Sequence, residues 1–158
     1  MKKFLPFLFL AFSFDGFAQV NFSMPPEANT FYNKAMLKIK PVLKNMIFKN
    51  AQNLKGRRVN TDSLFTQMEK EPVLKNSSKE ILQAVTVLIM IQISKNADAD
   101  LKNLVVNMGK NKVANETAEN PENQVASILA NKSEIAESVS IAMKTISPDQ
   151  EVLLGNLK

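Results

Sequence analysis

Apolar residues recur at helical spacing along most of this 158-residue chain, with polar residues gathered on the other side of each such stretch. Between Pro26 and Lys55 the positions Phe31, Ala35, Ile39, Val42, Leu43, Met46 and Leu54 share one side of a helical wheel, and Lys34, Lys38, Lys44, Lys49 and Lys55 fall opposite. This pattern predicts a long amphipathic helix. Pro41 lies inside it, lacks the amide that would bond to the Leu37 carbonyl, and costs about 3 kcal/mol in a straight helix, so a kink or break is predicted between Leu37 and Pro41. A short helix follows from Thr61 to about Lys70 with Leu64, Phe65 and Met68 inward, and Pro72 forbids its continuation.

Residues 81 to 94, ILQAVTVLIMIQIS, are apolar nearly all round, with a narrow polar side at Gln83, Thr86 and Ser94. A helix of that kind belongs at the centre of a bundle. Fourteen residues reach about 21 Å as a helix, short of the roughly 30 Å hydrocarbon layer, so burial in protein is preferred to a membrane span. The β-branched alternation Val85, Val87, Ile89, Ile91, Ile93 also suits a strand, but no comparable segment exists to pair with it. Ser77 and Glu80 have the spacing of a capping box that opens this helix. Gln92 projects from the apolar side; the preferred reading places it at the helix end reaching solvent, and the alternative is a buried specificity group.

Downstream, Asp98 or Asp100 is placed to cap a further helix carrying Leu101, Leu104, Val105 and Met108 and stopped by Gly109. Residues 110 to 120 lack periodicity and are predicted to be an exposed connection. Asn120 and Pro121 then form an N-cap pair, followed by apolar stripes through Val125, Ile128 and Leu129 and through Ile135, Val139, Ala142, Met143 and Ile146. The two stripes belong to one helix or to two, and Asn131 with Ser133 and Glu134 could recap the chain at a bend between them. Ser147 and Pro148 open a terminal turn, and Gly56, Gly109 and Gly155 read as helix stops.

The fold expectation is therefore all-α. It is a single-domain helical bundle of about five helices over residues 28 to 158, with 81 to 94 as the central buried helix. Residues 19 to 27 form an extended lead-in. Before them, Lys2 and Lys3, the apolar run from Phe4 to Phe14 and the small residues Gly16 and Ala18 match a cleavable signal peptide over residues 1 to 18, which implies a secreted or periplasmic location.

Composition narrows the chemistry. The chain has no histidine, cysteine or tryptophan, which removes imidazole bases, thiol nucleophiles, disulfides, and imidazole or thiolate metal sites. No S-x-x-K motif occurs, and the carboxylates are scattered over faces expected to be solvated. Asn96, Asp98 and Asp100 begin like a calcium loop, but Leu101 stands where glycine is needed and Asn107 where a bidentate glutamate is needed. Neither metal nor cofactor is expected. Charge is the one asymmetry with functional meaning: from Gln19 to Arg58 eight bases face Glu27 alone, for +7, whereas Val59 to Lys158 carries −3.

These features point to a non-enzymatic binding or envelope-associated protein whose partner is a protein or an anionic envelope component. A peripheral membrane contact is included and nucleic acid is not. The candidate contact residues are Lys34, Lys38, Lys44, Lys49, Lys55, Arg57 and Arg58. The cationic field could equally be answered by the acidic half of the same molecule. An alternative is a carrier of a small, lipid-like apolar ligand in a cavity lined by Met36, Met46, Met90, Met108 and Met143. A third reading is a hydrolase with an unrecognised carboxylate or Ser/Lys site.

Overall fold

The computed structural model describes residues 24–110, 120–147 and 149–157. The signal-like segment, the lead-in as far as residue 23, the connection over 111 to 119 and Pro148 lie outside the described residues. The protein is all-α: among the described residues there are six α-helices, one 3-10 turn and no strand.

Helix α1 (Pro26–Lys38) begins on a proline at its first position, where the missing amide would have no intrahelical partner anyway. It starts two residues before the predicted bundle boundary at 28. Helix α2 (Pro41–Asn53) begins the same way, and the extended residues Ile39 and Lys40 separate the two. The predicted break is thus complete. It also changes which residues face inward. Val42 is exposed rather than buried, while Leu43, Met46, Ile47, Asn50 and Ala51 form the buried stripe of α2. A single wheel carried through Pro41 misplaces Val42, because two extended residues do not advance the helical phase as two helical ones would.

Gly56, at φ 69°, turns the chain out of α2, and the Arg57 amide bonds the Leu54 carbonyl at 3.1 Å across that turn. Helix α3 (Thr61–Glu69) is capped by Asn60, whose side-chain oxygen accepts from the Ser63 amide at 3.0 Å. A 3-10 turn (Pro72–Leu74) and Asn76, at φ 68°, lead into α4.

Helix α4 (Lys79–Lys110) is one uninterrupted rod of 32 residues. Ser78, not Ser77, caps it: its Oγ accepts from the Ile81 amide at 3.4 Å. Glu80 turns back on its own amide and the Ser78 hydroxyl, which holds its carboxyl below the usual glutamate range. The expected restart at Asp98 or Asp100 does not occur. Asp98 pairs with Lys132 and Asp100 with Lys55, so both carboxylates are turned to neighbouring elements instead of back onto the helix backbone. With no proline between 79 and 110, nothing else interrupts the helix, and Gly109 lies within its last turns.

Helix α5 (Pro121–Met143) is likewise continuous through Asn131 to Glu134, because Val125, Leu129, Ile135, Ala136 and Val139 keep a buried stripe through that point. Asn120 caps it, accepting from the Glu122 amide at 3.1 Å. Helix α6 (Gln150–Gly155) closes the described chain with Leu154 fully buried, and Gly155 is its last residue and not a stop beyond it.

Every other helix touches α4. From Leu82 to Ser94 all side chains are buried except Gln83, which is half-buried. The main core joins α1, α2, α3, α5 and α6 to that segment, and a smaller cluster of Leu101, Val125 and Leu129 ties the far half of α4 to the start of α5. Gln92 does not reach solvent. It is buried, accepts from the Tyr32 hydroxyl, and donates to the Asn96 side-chain oxygen at 2.8 Å. Asn50 similarly accepts from Gln67 at 3.1 Å, linking α2 to α3.

Candidate functional site

The α1–α2 segment carries no acidic residue from Ala28 to Thr61. Its cations divide into two groups by what lies across from them. At the far end, Lys55 pairs with Asp100 at 3.0 Å and Arg58 Nε with Glu134 at 3.1 Å. Together with Arg57 they edge a cavity of about 320 Å³ floored by Ala51, Ile93 and Ala97. Here the basic and acidic halves of the molecule answer each other. Asn131 reinforces this end, donating from Nδ2 to the Arg57 carbonyl at 3.1 Å while its Oδ1 is buried without a partner.

The other group runs from α1 through the break and along α2. Lys34, Lys40 and Lys49 are exposed, Lys44 is half-buried, and none of the four has a carboxylate partner among the described residues. Lys38 is exposed and brings its Cβ beside Gly155, where a Cβ on the glycine would lie 3.4 Å away. Lys40 takes its place by occupying the extended break, which no helical-wheel argument anticipates.

Leu37 and Val42, on either side of that break, are exposed aliphatic residues. Leu37 sits diametrically across α1 from the stripe of Ala28, Phe31, Tyr32 and Ala35, so its outward direction was legible from helical periodicity once α1 is taken alone. Along the chain these two aliphatics lie between Lys34 and Lys49, with Lys40 in the break between them. Among the described residues no helix is long and apolar enough to cross a membrane.

Among the described pockets, none is lined by all five methionines. Met46 and Met90 are buried, and Met36, Met108 and Met143 are half-buried. Met90 alone of them enters the open groove of about 700 Å³ between α3, α4 and α5, beside Phe65, Val87 and Ile141. The carboxylates Asp62, Glu134 and Glu137 do meet around a shallow cleft with Arg58 and Ser138. All three are exposed, and Glu134 already faces Arg58. Among the described residues no group of three or more metal-ligating side chains is placed to hold an ion.

Comparison with known proteins returns nothing: no family model, no curated protein and no solved structure matches the chain.

Proposed function

We propose that this is an exported, non-enzymatic, envelope-associated protein, a single-domain bundle after signal removal, that docks on an anionic surface through the junction of α1 and α2. The observation that carries this reading is the division among the cations. Lys55 and Arg58 are matched by Asp100 and Glu134, whereas Lys34, Lys40, Lys44 and Lys49 have no carboxylate opposite them among the described residues. Charges left unanswered on one side of a molecule steer it toward surfaces of opposite sign. The contact is therefore narrower than the full run of bases and centres on the junction.

Magnitudes set the expected strength. A lysine at an anionic lipid surface contributes about 1 kcal/mol, so three or four give about 3 to 4 kcal/mol, near millimolar affinity. The contact should be reversible and salt-sensitive, since charges separated by more than about 10 Å are screened at 0.1 M salt.

Co-sedimentation with phosphatidylglycerol-containing vesicles over a salt series tests the reading. Binding is expected to fall as salt rises, and to fall further in a Lys34→Gln/Lys40→Gln/Lys49→Gln variant than in a Lys55→Gln/Arg58→Gln variant. Absence of binding, or binding indifferent to salt and to these lysines, overturns it.

A carrier of small apolar ligands is the second reading. It is favoured by one observation, the exposure of Ile141 beside Phe65, Val87 and Met90 in the open groove. Lipid extracted with the purified protein, and released by Ile141→Gln, would support it.

A further inference from the structure

Lysines alone would hold the protein only loosely, and the same junction offers a second kind of contact. Leu37 is 84 % exposed and Val42 is 63 % exposed, five positions apart across the Ile39–Lys40 break. On the same two helices Phe31, Tyr32, Leu43, Met46 and Ile47 are buried, and Phe48 of α2 is exposed as well. Helix α6 reaches this end of α1 through Gly155 beside Lys38, and Leu153, two residues earlier, is 45 % exposed.

We propose that the α1–α2 junction seats the protein on an anionic phospholipid bilayer, with Leu37 and Val42 entering the interfacial layer and Lys34, Lys40 and Lys49 meeting headgroup phosphates. This rests on the anionic contact proposed above and adds the identity of the surface and the way it is gripped. The interface of a charged bilayer satisfies both features together, because aliphatic side chains leave water at a depth from which lysine stems still reach the phosphates. An acidic protein would answer the lysines but would have to supply a separate apolar recess for Leu37. The charge pattern favours the bilayer as well: a lipid surface presents unbroken negative charge, and no acid from Ala28 to Thr61 opposes it.

The chain contains no tryptophan, so Leu37→Trp creates a unique reporter of insertion, and Glu137→Trp on the exposed side of α5 provides its control. Each is mixed with vesicles of equal parts phosphatidylglycerol and phosphatidylcholine, and with vesicles of phosphatidylcholine alone. On the anionic vesicles the Leu37→Trp emission is expected to shift to the blue and to be quenched by brominated acyl chains, with Glu137→Trp unchanged. A Leu37→Gln/Val42→Thr variant is expected to bind about tenfold more weakly, as removal of buried aliphatic area from a contact implies.

If the wild type binds in a lysine-dependent way but the tryptophan stays in water and the double variant binds equally well, the inserted contact is overturned while the anionic contact stands. If the wild type does not bind anionic vesicles at all, both fall. Equal binding to phosphatidylcholine alone also overturns the proposal. The fluorescence readout decides the matter even if the double variant fails to fold.

Discussion

The Tyr32 hydroxyl donates to the side-chain oxygen of Gln92, joining the first helix to the middle of the fourth inside the core. Gln92 passes the interaction on through Nε2 to Asn96, and the Lys95 ammonium lies 5.0 Å from the centre of the Tyr32 ring. The pair fixes where α1 sits along α4 and therefore where the junction lysines stand relative to the rest of the molecule.

Tyr32→Phe should cost about 1 to 3 kcal/mol, because it leaves a buried amide oxygen without a donor. Adding Gln92→Leu should recover most of that loss, since Asn96 is half-buried and finds water instead. Denaturant unfolding of the two single variants and the double variant measures the coupling.

Burial pushes the Tyr32 phenol above its ordinary value of 10.0. Between that ordinary value and the raised one, the folded protein holds a proton that the unfolded chain has released. Its contribution to stability is therefore complete below the ordinary value and is lost as pH climbs through the window. Alkaline unfolding of wild type should show this fall, and Tyr32→Phe should flatten it.

Glu80 behaves in the opposite sense. Its carboxyl is held low by its own amide and then by Ser78, so the benefit is present above the ordinary glutamate value and disappears as pH drops through the lowered one. An NMR titration should place Glu80 below exposed glutamates, and Ser78→Ala should move its midpoint upward.

The same glycine-to-alanine change should have opposite signs at two sites. Gly56 has φ 69° and open space around it, so Gly56→Ala meets only the backbone penalty and should cost about 1 to 2 kcal/mol. Gly109 lies within α4, also with open space, and Gly109→Ala should stabilise by about 0.5 to 1 kcal/mol. Paired thermal melts distinguish the two.

Leu88 is fully buried at the middle of α4, and Leu88→Ala should cost about 2 to 5 kcal/mol. Ile141→Ala, at a side chain 60 % exposed, should change stability by less than about 0.5 kcal/mol. Unfolding midpoints at matched denaturant slope provide the check.

Local chemistry made much of this structure readable in advance. The missing amide of Pro41 broke α1 from α2, Asn120 with Pro121 marked the start of α5, Gly56 marked the end of α2, and the apolar circumference of residues 81 to 94 placed them in the interior. Each depends on a few neighbouring residues whose preferences act over one or two helical turns. The cationic run was equally plain, since charge is a property of the residues themselves.

What the chain could not declare locally was decided by elements far apart in it. Whether Asp98 and Asp100 cap a helix or sit within one depended on Lys132 and Lys55 coming alongside. Whether Gln92 meets water or Tyr32 depended on a crossing between residues sixty positions apart. Which lysines remain unanswered was settled only when α4 and α5 brought Asp100 and Glu134 to Lys55 and Arg58. Periodicity sorts residues into inward and outward sets, but pairing energies depend on distance, and distances between helices exist only once the helices have packed.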